Sequence, residues 1–132
     1  MSVGLLIITH GRIGEQLLET AKSMLEVCPL QTAYLIVSRS CEPDELVEQA
    51  NEICNALNQG DGVLVLTDMY GSTPSNVANR LLRKSKSIQV IAGINLPMLV
   101  RVLNYPSLNL HELANKALTG GHDGILLCEL DS

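Results

Sequence analysis

The chain is 132 residues long, which leaves room for a single domain over 1–132; a domain of this size buries roughly two thirds of the surface its unfolded chain exposes. Hydrophobic residues make up 46% of it, yet Phe and Trp are absent and there are three Tyr, so the core must be built from Leu, Ile, Val and Ala, a composition that suits layered α/β packing. The formal charge of −5 excludes the broad basic surface a nucleic-acid partner needs, and no apolar run approaches the ~20 residues of a membrane span, so a cytoplasmic protein with no direct membrane insertion is expected.

In chain order, Val3 to Thr9 is an aliphatic, β-branched run bounded by glycine, and reads as a buried parallel strand that ends against His10. An amphipathic helix follows, with Ile13, Leu17, Leu18, Ala21, Met24 and Leu25 on one face and an end near Pro29. Thr32 to Val37 is the second strand. Pro43-Asp44-Glu45 opens a second helix, whose Leu46, Val47, Ala50, Ile53, Cys54 and Leu57 share a face.

The turn 58–62 leads into a third strand, Val63 to Thr67, which ends at Asp68. The loop 69–74 feeds a helix over Ser75 to Leu82, and Ile88 to Ala92 is the fourth strand. A helix through Leu103 follows Gly93-Ile94-Asn95-Leu96-Pro97, and a last helix, Asn109 to Leu118, is expected to close at Gly120-Gly121. His122 and Asp123 then fall in an exposed turn, before a short final strand over Gly124 to Cys128 whose partner the pattern does not reveal. The fold class that results is α/β, with a mainly parallel central sheet of about five strands and helices on both faces.

Cys28, Cys41, Cys54 and Cys128 lack zinc-ligand or redox-motif spacing, so they read as reduced thiols that mostly fill the core, and no metal is expected. His10 and Asp68 occupy equivalent places at the ends of the first and third strands. If those strands are neighbours, the carboxylate can hold one ring nitrogen and leave the other free as a nucleophile. Gly71-Ser72-Thr73-Pro74 opens a helix whose first N–H groups suit a phosphoryl group, with Thr73 adding a hydroxyl and Gly71 allowing close approach.

Each of these has a plainer reading: His10 as a surface or capping residue, Asp68 as a turn residue, Thr73-Pro74 as an N-cap followed by Pro at the first helical position. Only their combination points to chemistry. Arg12 either pairs with a phosphate beside His10 or covers the sheet edge. His111, and the pair His122 and Asp123, read as structural or solvent-facing.

Thr9-His10-Gly11, the run Asp68 to Asn76 and the run Gly93 to Met98 together resemble the enzyme IIA component of the mannose-type phosphoenolpyruvate-dependent sugar phosphotransferase system. The resemblance spans essentially the whole chain. It implies that His10 takes a phosphoryl group from the histidine-containing phosphocarrier protein and passes it to an enzyme IIB partner, with no cofactor. It further implies that Asp68 bonds the far ring nitrogen, that Gly71, Ser72 and Thr73 hold the phosphate, and that Arg12, Tyr70, Asn95, Pro97 and Met98 face partners. Tyr70 stands where a well-known form of the family has Trp, and Ser72 where it has Gly.

Members of that family are typically dimers that exchange the last strand. A homodimer is therefore implied, with Gly124 to Cys128 antiparallel to the rest and paired with a second chain, and association with a membrane sugar transporter is a further expectation. The absence of a fused IIB region in these residues implies that enzyme IIB is a separate protein. A regulatory sensor of phosphorylation state is the alternative function. The phosphotransfer subunit of dihydroxyacetone kinase fits the loops less well, and a histidine phosphatase of the R-H-G kind fits less still, since Thr9 stands where that chemistry wants an arginine.

Overall fold

A computed structural model describes residues 2–26 and 30–130. The elements run β1 (Gly4–His10), α1 (Ile13–Met24), β2 (Thr32–Val37), α2 (Pro43–Leu57), β3 (Val63–Thr67), α3 (Thr73–Lys84), β4 (Ile88–Ala92), α4 (Leu96–Leu103) and α5 (Leu110–Asp123). The strands form one sheet in the order β2-β1-β3-β4, with every neighbouring pair parallel. Parallel strands need crossovers, and the helices supply them.

Because successive side chains on a strand point to opposite faces, β1 feeds two cores at once. Leu5 and Ile7 meet Leu18 and Ala21 of α1, Leu99 and Val102 of α4, and Leu113 of α5. Leu6 and Ile8 meet Leu46, Val47 and Ala50 of α2 and Val77, Ala78 and Leu81 of α3. Helices therefore cover both faces, which is why the central strands read as unbroken aliphatic runs rather than alternating ones. Each fully buried Leu or Ile contributes about 1.5–3 kcal/mol.

Three expectations are corrected. Among the described residues the sheet has four strands, not about five: Gly124 is the C-cap of α5, and residues 125–130 follow it outside any strand, with Leu126 78% and Leu127 85% exposed. Nothing else among the described residues pairs with this segment, so it has no ladder to join. The last helix does not close at Gly120-Gly121 but runs through both glycines to Asp123. A Cβ on Gly120 would lie 2.6 Å from the Arg101 Cβ, so this glycine permits close approach of α5 to α4 instead of stopping the helix. His122 and Asp123 consequently sit in the final turn of α5 rather than in a loop.

The first helix ends at Met24, and its expected end near Pro29 lies outside the described residues, as does Cys28. Of the other thiols Cys54 is buried, Cys41 half-buried and Cys128 exposed, so core filling holds for Cys54 alone in full.

Candidate functional site

The chain leaves β1 for β2 on one side and returns to β3 on the other, so the strand order reverses between β1 and β3. At such a switch point the carboxyl ends of the strands open a crevice. His10 is the last residue of β1 and Asp68 the first after β3, and the pairing of Ile8 with Thr67 sets them side by side.

Asp68 Oδ2 accepts a hydrogen bond from the His10 backbone N–H at 2.9 Å and lies 2.8 Å from His10 Nδ1. Asp68 Oδ1 accepts from the Met69 N–H at 2.9 Å. A carboxylate only accepts, so this network assigns the hydrogen to Nδ1 and leaves a lone pair on Nε2 of the neutral ring. The Asp68 side chain is 13% exposed and that of His10 48%, an oriented base backed by a shielded acid.

Immediately beyond, the backbone turns through Gly71 at φ 85°, a left-handed conformation that glycine adopts without strain. Ser72 is the N-cap of α3, one place earlier than the sequence suggests, but its hydroxyl donates to the Met69 carbonyl and caps nothing. No side chain caps α3, as none caps α1 or α2, whereas Asn95 caps α4 and Asn109 forms a capping box with Glu112 on α5. The first turn of α3 is thus open to an anion. His10 and Thr73 line one cleft of about 520 Å³ together with Gly11, Val37, Ser38 and Arg39.

The remaining candidates disperse. Arg12 Nη1 pairs with Glu15 at 2.8 Å, and Glu15 also accepts from the Tyr34 hydroxyl at 2.9 Å, so the guanidinium is tied along α1. That bond and the charge of Glu15 raise the Tyr34 pKa above its ordinary value. Tyr70 is 82% exposed on the loop after Asp68. Asn95 accepts from the Met98 N–H and donates to the Gly121 carbonyl, a joint between α4 and α5. Pro97 borders a different cleft with Met24, Val100 and Gly124. Met98 is buried in the core.

Ser38 and Arg39 are cleft residues that the sequence alone did not single out. Their one signal was position, directly after the second strand. Among the described residues, no group of three or more His, Cys, Asp or Glu gathers that could hold a metal ion, and no helix is long and apolar enough to cross a membrane.

An open parallel sheet with a carboxylate-held histidine at its switch point, beside a helix start that no side chain caps, defines an α/β domain that presents the Nε2 of that histidine at a crevice. The chain belongs to the mannose-type enzyme IIA family of the phosphotransferase system: a family model described as the PTS system fructose IIA component matches residues 4–118. It is 33% identical over 129 residues to the mannose-specific EIIAB component of the PTS system of Escherichia coli K12, covering 95% of this chain and 39% of that protein.

A second relative is the transcriptional regulatory protein LevR of Bacillus subtilis, 31% identical over 116 residues, which are 84% of this chain and 12% of that one. The chain thus spans well under half the length of these curated relatives. Among solved structures, the mannose/sorbose specific IIA subunit from Enterococcus faecalis has the same fold, with a TM-score of 0.86 at 24% identity over 100% of this chain and 98% of that one.

Proposed function

We propose that this chain is a cytoplasmic phosphoryl carrier that accepts a phosphoryl group on His10 Nε2 from the histidine-containing phosphocarrier protein and passes it to a separate enzyme IIB in sugar uptake. The observation that carries this reading is the 2.8 Å contact between His10 Nδ1 and Asp68 Oδ2 beside the uncapped start of α3. The Nε2 lone pair attacks phosphorus as the phosphorus–nitrogen bond to the donor histidine breaks. The imidazole becomes cationic, and Asp68 offsets that charge.

Thr73 and the Gly71 N–H are suited to the equatorial oxygens, while the Ser72 N–H is held by the Met69 carbonyl at 3.3 Å. Because a similar bond is made and broken, positioning and charge neutralisation are the main demands on the protein. Tyr70 and Met69, exposed on the loop beside Asp68, suit partner contact, with Arg12 at its edge. The unpaired segment 125–130 and the free outer edge of β4 support a homodimer in which the segment of one copy pairs with the sheet of the other.

The test is incubation with phosphoenolpyruvate, enzyme I and the phosphocarrier, followed by detection of acid-labile phosphate. His10→Ala is expected to abolish labelling and His122→Ala to retain it; the reverse pattern would sink the assignment. A regulatory module is a second reading, favoured by the similarity to a transcriptional regulator. Phosphate that reaches His10 but passes to no IIB protein supports that reading over transport.

A further inference from the structure

We propose that Arg39 is a phosphoryl-binding residue of the His10 cleft, its guanidinium holding oxygens of the phosphoryl group as it arrives at Nε2. The inference rests on the phosphoryl-carrier reading of His10 and adds a residue to it. β2 lies directly beside β1, with Val37 opposite His10 and the Gly11 N–H bonded to the Val37 carbonyl at 2.9 Å. The turn leaving β2 therefore emerges next to His10.

Residues 38–41 form this tight turn, closed by the Cys41 N–H on the Ser38 carbonyl at 3.2 Å. The Ser38 hydroxyl reinforces it, 3.1 Å from Ser40 Oγ and 3.2 Å from Cys41 Sγ. The turn presents Arg39 at its exposed first central position, and Arg39 lines the same cleft as His10 and Thr73.

Charge points the same way. Among the described residues, no carboxylate lines the cleft and Arg39 is its one permanent cation, in a chain whose formal charge is −5. Arg12 is paired with Glu15 and Arg80 with Asp44, whereas Arg39 has no ion pair among the described residues. A guanidinium fork matches two phosphoryl oxygens at once and stabilises the charge spread over them in transfer.

Two measurements on the full chain test this. Inorganic phosphate is titrated into nitrogen-15-labelled protein while the amide shifts of His10 and Thr73 are followed. Arg39→Gln is expected to weaken phosphate binding about tenfold, Arg39→Lys to restore part of it, and Arg83→Gln to leave it unchanged. In single-turnover transfer from the phosphocarrier, Arg39→Gln should slow labelling of His10 by about 10–100-fold while reaching full stoichiometry. Phosphate affinity unchanged by Arg39→Gln, or no phosphate binding by the unsubstituted protein, overturns the inference even where His10 is labelled. Arg39-dependent phosphate binding without any labelling of His10 supports the anion site and removes the carrier reading instead.

Discussion

Asp68 spends two oxygens on three donors, the backbone and ring nitrogens of His10 and the amide of Met69, so one side chain fixes the loop and the imidazole together. Asp68→Asn keeps one acceptor oxygen, turns an N–H donor toward a partner of the other, and removes the charge that offsets a phosphorylated ring. A hydrogen bond to a charged group is worth about 1.5–3 kcal/mol, so His10 labelling should slow by about 10–100-fold, with a thermal midpoint lower by a few degrees. Labelling at the unsubstituted rate would show that Asp68 serves the loop alone.

The thiols diverge at the same scale. Burial pushes Cys54 from an ordinary 9.0 up to about 11, while the Ser38 hydroxyl and amide hydrogen bonds pull Cys41 down. A raised folded pKa means that the stability gained by burying the neutral Cys54 thiol is complete below pH 9.0 and is lost as pH rises through about 11. Iodoacetamide near pH 8 should therefore modify Cys41 well before Cys54, and Ser38→Ala should move the Cys41 reactivity profile to higher pH. Mass spectrometry of the alkylated peptides reads the order directly; Cys54 reacting first would contradict it.

At the level of elements, α1 lies on β1 at a distance only glycine allows. The Gly14 N–H donates to Thr9 Oγ1 at 2.7 Å, and a Cβ there would come 2.6 Å from Ile7 Cγ2. Gly14→Ala improves helix propensity by about 1 kcal/mol, but overpacking a β1 side chain costs about 1–3 kcal/mol. Because the hydrogen bond to Thr9 would be displaced too, the net effect should be a loss of about 1–2 kcal/mol and a thermal midpoint lower by several degrees. A midpoint equal to that of the parent would mean that α1 can move outward freely.

The same distinction decided what was readable in the chain. β2, β3 and β4 stand at the bounds their apolar runs predict, since each run is short and closed by turn residues, although only β3 is buried along its whole length. Gly120 and Gly121 misled because a glycine needed for proximity and one needed for a left-handed turn look alike in sequence. His10 and Asp68 were legible because each sits at the carboxyl end of an aliphatic run, His10 as the last residue of β1 and Asp68 as the first after β3. Arg39 follows one too, but only the order β2-β1-β3 and the closure of the 38–41 turn bring it to His10.

Across the whole molecule the least self-sufficient part is the segment after α5. Ile125, Leu126, Leu127 and Leu130 are 74, 78, 85 and 99% exposed, a cluster of apolar residues that a soluble surface seldom leaves bare. β4 is at the same time an edge strand with one side unpaired, a template for another strand. Burying two leucines is worth about 3–6 kcal/mol, so Leu126→Asp combined with Leu127→Asp should weaken dimerisation by about two to four orders of magnitude. Sedimentation velocity should then find a dimer for the parent chain and a monomer for the double variant at the same concentration, with phosphate-induced shifts at His10 preserved in both. A monomeric parent, or a double variant that still dimerises, would remove the exchange and leave the segment to some other partner.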